Sequence, residues 1–131
     1  MIFLDSDILS YFFNGNKVLY DKIKECIESN KKLALTCINY YEILKGLKHR
    51  NAETKEKKFK EVLQYLNIFY LDNSSIEIAS DIYSDLRKTG ITIGDADILI
   101  ASIVMSNEGT LITNNLKHYE NIEGLNIQKW I

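Results

Sequence analysis

The chain has 131 residues, 46% of them hydrophobic and 26% charged, with a formal net charge of −2 at pH 7. That length suits one domain, residues 1–131, whose core needs no disulfide or metal staple. The charge excludes a globally basic surface, so any nucleic-acid partner must be met by local basic patches.

Cys26 and Cys37 lack CxxC spacing and a nearby His, so free thiols are expected, with Cys26 on the apolar stripe of a helix, as suits a reducing cytoplasm. The opening MIFLDSD has no basic n-region and meets an acid at Asp5, so no signal peptide is read. No apolar run is long enough to cross a membrane. Proline is absent, so helix starts must be read from other caps.

In chain order, Ile2 to Leu4 reads as a short buried strand that delivers Asp5 to its C-terminal end, where open parallel sheets bind ligands. Ser6 and Asp7 are placed to cap the helix that follows, and Asn14-Gly15 stops it. Val18, Leu19, Ile23, Cys26 and Ile27 mark an outer helix, and Leu33 to Leu35 a second strand ending at Thr36. The next helix carries Tyr40, Ile43, Leu44 and Leu47 on one face with Glu42 at its border. Read alone, Glu42 is a solvated flank or a partner of Lys45 worth about 0.3–0.5 kcal/mol. Gly46, one turn on, costs about 1 kcal/mol against Ala in a helix and suggests space wanted beside a carboxylate.

The middle of the chain is its most basic part, but Glu53, Glu56 and Glu61 are interleaved, so most of it reads as a solvated helix face. Lys45, Lys48 and Arg50 are kept as candidate phosphate-binding residues. Ile68 to Leu71 reads as a third strand, and Ser74 with Glu77 as a capping box for a helix ended by Gly90.

IGDADILIAS follows, with Asp95 and Asp97 just before a run apolar enough for a helix covered on nearly all sides. Each Asp alone suits a helix N-terminus. Two together on a mostly buried element repel unless a cation or donor lies between them. Thr110 to Thr113 reads as a fourth strand ending in Asn114 and Asn115. Lys117 to Tyr119 suggests a short helical turn in which His118 is a surface or hydrogen-bonding residue rather than a metal ligand, and Ile127 to Ile131 a last strand. Strands alternating with helices give an α/β fold with a small, mainly parallel central sheet.

Asp5, Glu42, Asp95 and Asp97, with Asn115 as a polar fifth, form an oxygen donor set without Cys or His. Such a set suits Mg2+ or Mn2+ and, through a metal-bound water, hydrolysis of a phosphodiester. On IFLDSDIL, NYYEILKGL, TIGDADILIAS, TLITNN and KHYENIEGLNIQKW, in that order, nearly the whole chain resembles the PIN-domain ribonucleases, and among them the VapC-type toxins of toxin–antitoxin pairs. The resemblance implies a three-layer α/β/α PIN-like fold. It implies that Asp5, Glu42 and Asp97 hold the catalytic metal, that Asp95 is a frequent extra acid, and that Ser6 and Thr113 brace the site. It further implies structured RNA, commonly tRNA, as substrate, a VapB-like antitoxin as partner, and a homodimer. Two positions depart from the pattern: Asp7 where many members have Asn, and Asn115 where many have a fourth Asp.

Two other functions fit parts of the sequence. IFLDSD also matches the start of haloacid-dehalogenase-like phosphatases, with Asp5 as nucleophile, Asp7 as acid/base, Thr36 as a second motif and Asp95 near a metal; that leaves Glu42 without a role. A PIN domain that binds RNA or protein without cutting is the other, since Asn115 binds a cation less strongly than Asp.

Overall fold

A computed structural model describes residues 1–131. Five strands, β1 (Ile2–Leu4), β2 (Leu33–Thr36), β3 (Asn67–Phe69), β4 (Thr110–Ile112) and β5 (Asn126–Gln128), are interspersed with seven helices. These are α1 (Ser6–Phe13), α2 (Lys17–Glu28), α3 (Cys37–His49), α4 (Glu53–Leu63), α5 (Asn73–Lys88), α6 (Asp95–Ser106) and α7 (Leu116–Tyr119). All the strands pair in parallel in one sheet, in the order β3-β2-β1-β4-β5.

The alternation of side chains along each strand builds a core on either face of this sheet. Phe3, Ala34 and Leu111 point into one core, closed by Ala79, Ile82 and Leu86 of α5 and by Ile100, Ala101 and Val104 of α6. Leu4, Leu33, Leu35 and Ile112 point into the other, closed by Ile8, Leu19, Ile23 and Phe59 from α1, α2 and α4. The three-layer α/β/α fold expected from the sequence is the one observed. No helix is long and apolar enough to cross a membrane.

Several local expectations shift. β3 ends at Phe69 because Tyr70 and Leu71 turn outward, 66% and 36% exposed. β5 is confined to Asn126–Gln128, and Trp130 and Ile131 pack against the core that contains α1 and α2 instead of extending the sheet. The cap of α5 is Asp72, boxed with Ser75, not Ser74 with Glu77. The cap of α1 is Asp5 itself, so Ser6 and Asp7 lie inside the helix.

Gly109, in the turn from α6 to β4, is required by close approach. A Cβ there would stand 2.6 Å from the Phe3 ring and 3.2 Å from the Met1 carbonyl oxygen. Gly109→Ala is expected to cost about 1–3 kcal/mol through overpacking. A lowered urea midpoint with an unchanged slope is the expected reading, and an unaltered midpoint would show that β1 and this turn can separate freely.

Candidate active site

β1 lies mid-sheet, with β2 on one side and β4 on the other, so the C-terminal ends of β1 and β4 border the crevice where open α/β sheets place ligands. Asp5 leaves β1 into this crevice, and its backbone N–H donates to the Ile112 carbonyl at 3.0 Å. The Asp5 carboxylate is only 4% exposed. Its Oδ1 accepts from the Ser6 N–H at 2.9 Å and from Asn39 Nδ2 at 2.9 Å, while Oδ2 accepts from Thr113 Oγ1 at 2.8 Å. Neutral donors on both oxygens offset the loss of water around a buried charge.

Asn39 is the hub of this network. Thr36 caps α3 by accepting the Asn39 N–H at 3.1 Å, and its hydroxyl donates to Asn39 Oδ1 at 2.7 Å. Both amide hydrogens are thereby aimed away from Thr36. One reaches Asp5, and the other reaches Ser6 Oγ at 2.8 Å. Ser6 Oγ in turn donates to Glu42 Oε1 at 3.0 Å. Asn39 and Glu42 are three residues apart and share a face of α3, which is how a single helix serves both acids.

Asp97 enters from the first turn of α6, whose cap is Gly94 rather than either aspartate. The Tyr119 hydroxyl lies 3.3 Å from Asp97 Oδ1, and His118 Nδ1 lies 3.1 Å from Oδ2, so α7 clamps this carboxylate from both sides. Burial pushes the Asp97 carboxyl above the usual range, the His118 charge opposes this, and the charge of Asp5 adds to it. Glu42 is also raised, first by burial, against the Ser6 hydrogen bond, and then by the charges of Asp5 and Asp97. Three carboxylates distant in sequence therefore act on one another across the crevice. The Tyr119 phenol is buried and pushed upward by desolvation and by both Asp5 and Asp97, so it stays protonated and donates.

The remaining predicted residues are distributed unevenly. Thr113 lies against Asp5, and the exposed Asn115 reaches the site through its backbone, its N–H donating to Thr113 Oγ1 at 3.0 Å. Asp95 is not brought to the other acids: it is exposed and borders a groove with Ile76 and Tyr83 of α5. Residues two apart in a helix lie about 200° around the axis, so neighbours in sequence face different ways here. Lys45 lies over the Tyr41 ring at 4.8 Å, and Lys48 is paired to Glu56 at 3.3 Å. Arg50 lines the groove that opens beside Glu42. Gly46 lines it too, but its missing side chain is not dictated by a carboxylate, since a Cβ would meet only Arg50 Nη1 at an ordinary 3.4 Å.

Asp7 has a different task from the one expected of either a simple cap or a phosphatase acid. Its Oδ1 accepts the Ile8 N–H at 2.8 Å and its Oδ2 the Asn114 N–H at 2.9 Å, which staples the end of β4 to α1. Burial raises its carboxyl, and the charge of Asp5 adds to the rise. With both oxygens held by backbone amides, Asp7 is poorly placed to shuttle protons.

As donors, Asp5, Glu42 and Asp97 are of the kind a hard divalent cation takes. As the side chains stand, no three acidic, His or Cys groups are close enough to share one ion. Both oxygens of Asp5 and of Asp97, and Glu42 Oε1, accept from protein donors, which leaves Glu42 Oε2 without one. Sequence reasoning missed Asn39 and Tyr119; the available signal was the spacing Thr36-x-x-Asn39-x-x-Glu42. Tyr119→Phe is expected to fold normally and to lose about 1 kcal/mol, the value of one hydrogen bond to a partly buried acceptor. Denaturant melts would read this, and a wild-type midpoint would show that the hydroxyl does not hold Asp97.

The PIN domain family matches residues 2–123. The chain is 28% identical to ribonuclease VapC2 of Rickettsia felis, over 97% of this chain and 96% of the relative. It is 30% identical to ribonuclease VapC1 of Methanocaldococcus jannaschii, over 93% of this chain and 81% of the relative. Among solved structures, VapBC2 from Rickettsia felis, bound to a DNA fragment from its promoter, superposes with a TM-score of 0.91 at 26% identity, covering 100% of both chains. Sequence match and fold agree: the chain belongs to the PIN-domain family and, within it, to the VapC-type ribonucleases.

Proposed function

We propose that the protein is a Mg2+- or Mn2+-dependent endoribonuclease toxin that hydrolyses phosphodiester bonds of structured RNA, tRNA first among them. The observation that carries this is electrostatic: Glu42 and Asp97, on different helices, are both raised, first by burial and further by the charge of Asp5, which itself sits at the end of β1. A pocket of mutually repelling acids is habitable at neutral pH when a cation enters it. Asp5, Glu42 and Asp97 would hold the ion, and Asp95 is left out of the proposed set by its position. When bound, the ion supplies a water of lowered pKa and a countercharge for the phosphate.

The protein's own groups do the positioning. Asn39, Thr113 and the Ser6 N–H fix both oxygens of Asp5, so that Asp5 is oriented before any ligand arrives. Ser6 holds Glu42, and Tyr119 and His118 of α7 hold Asp97, the two acids that with Asp5 would hold the ion. This resting arrangement keeps three charges apart at a modest cost in hydrogen bonds.

A VapB-type antitoxin is the proposed partner, in line with the VapBC complex among the structural neighbours. The proposed homodimer would cover the groove between α5 and α6, where Ile76 and Tyr83 are 50% and 45% exposed beside Ile98 and Leu99. The deciding experiment incubates purified protein with end-labelled tRNA in Mn2+. Discrete fragments that vanish with chelator are expected. Fragments no more abundant than those from an Asp97→Asn preparation would overturn catalysis and leave a PIN domain that binds without cutting.

A further inference from the structure

A groove of about 450 Å3 runs from Ser6 and Glu42 between α1 and α3 to Arg50 and Lys55. Its two ends differ in sign. At the near end are Glu42 and, beneath it, Asp5. At the far end are two cations that make no ion pair, whereas Lys48 and Lys60 are both committed to Glu56. The only polar partner of the Lys55 ammonium is Asn14 Oδ1, at 3.5 Å. Arg50 folds back along α3, so that its Nη1 would lie 3.4 Å from a Cβ at Gly46. Gly46 is one turn beyond Glu42, about 6 Å along the axis, so the guanidinium reaches back toward the acids without touching them.

We propose that Arg50 and Lys55 bind a backbone phosphate of the RNA next to the bond held at the acidic end, with Gly46 as the open floor between them. The inference rests on the ribonuclease function proposed above for that acidic end. A strand lying along α3 passes from a place that demands a cation to a place that supplies two. Arg offers a planar fork for phosphate oxygens and Lys a point charge, a pairing suited to an anion of one or two negative charges. Ser10, Phe13, Ile43 and Leu47 also line the groove, so a sugar–phosphate chain crossing it would meet a mixed wall, with Ser6 and Asn14 offering polar atoms at its two ends. An acidic peptide would satisfy the far end but would be repelled by Glu42, so the whole groove favours a phosphodiester strand crossing it with an ion at the near end.

The test compares wild type with the double variant Arg50→Gln/Lys55→Gln, in two measurements. In the first, both carry Asp97→Asn, and binding of fluorescein-labelled tRNA is followed by anisotropy across a range of salt concentrations. The expected result is about tenfold weaker binding and a salt slope smaller by about 0.7–0.9, the share of one phosphate. In the second, with Asp97 intact and Mn2+ present, KM is expected to rise about tenfold while kcat changes by less than about twofold, because the pair grips ground state and transition state alike. Both side chains are exposed, and Mn2+ binding measured by calorimetry should be the same in the two proteins. If wild type cuts RNA but neither slope nor KM moves, the phosphate site is overturned and the nuclease function stands. If wild type fails to cut yet the slope falls, the nuclease function is overturned and the phosphate site stands. Absence of salt-dependent RNA binding by the Asp97→Asn protein overturns the phosphate site whatever the cleavage result.

Discussion

Asp97→Asn is expected to abolish RNA cleavage by orders of magnitude and, in metal-free buffer at neutral pH, to raise the melting temperature. The two effects have one cause. Asp97, Glu42 and Asp7 all have carboxyls raised above their ordinary values, each chiefly by burial and each partly by the charge of Asp5. A carboxyl whose folded pKa exceeds its unfolded one binds more protons in the native state, so stability falls as pH rises. The loss begins near the ordinary values of 3.8 for Asp and 4.5 for Glu and is complete once pH passes the raised folded values. The metal-free protein therefore carries a penalty that grows as pH rises through that window. An amide at position 97 keeps the shape and removes one of the opposed charges, and with it a proposed metal ligand.

The same reasoning fixes the response to ions. Mn2+ binds the native acids and not the unfolded chain, so it should raise the melting temperature of wild type at pH 7 in a concentration-dependent way. The gain should shrink as pH is lowered through the carboxyl range, because protons then compete for the same oxygens. Scanning calorimetry with and without Mn2+ at pH 5 and pH 7 would read both slopes. If metal-free Asp97→Asn melts below wild type at pH 7, the clamp of His118 and Tyr119 is worth more than the repulsion it contains, and the electrostatic account is wrong.

The framework of this site was legible because strand ends are legible. Apolar runs stopping at Asp5, Thr36 and Thr113 mark where the chain leaves a buried sheet, and a charge or hydroxyl at such a point has few structural reasons to be there. Glu42 read alone was a border residue of its helix; the family resemblance singled it out, and the fold places it against Ser6. Asp95 misled because adjacency in sequence was taken for adjacency in space; a helix turns residues two apart to different sides, and its first turn sends Asp97 inward and Asp95 toward α5. Asp72 and Ser75 escaped notice because Ser74 and Glu77 offer the commoner form of the same capping pattern. Asn39 was overlooked for a deeper reason, despite its spacing from Thr36 and Glu42. A polar side chain in the first turn of a helix ordinarily faces solvent, and only the parallel pairing of β1 with β2 brings Thr36, Asn39 and Asp5 into one buried chain of hydrogen bonds.

That chain makes Asn39→Asp the most damaging conservative change available outside the proposed ligand set. The substitution alters almost no volume, yet it replaces an amide that donates to Asp5 at 2.9 Å and to Ser6 at 2.8 Å with a group that can only accept when ionised. Asn39 is 0% exposed, so water cannot repair the loss. Two carboxylates face to face in a buried site cannot both stay charged, and one must take up a proton. The expected cost at pH 7 is about 3–5 kcal/mol, the range for breaking a buried charged pair and leaving a charge uncompensated. It should be smaller at pH 5, where protonation restores a donor, and smaller again with Mn2+, which separates the two charges. Asn39→Ala, which removes the donor without adding a charge, should show a lesser and nearly pH-independent loss. Urea titrations of both variants at the two pH values separate these contributions. If Asn39→Asp and Asn39→Ala lose equal stability at both, the amide is a packing element and Asp5 does not depend on it for orientation.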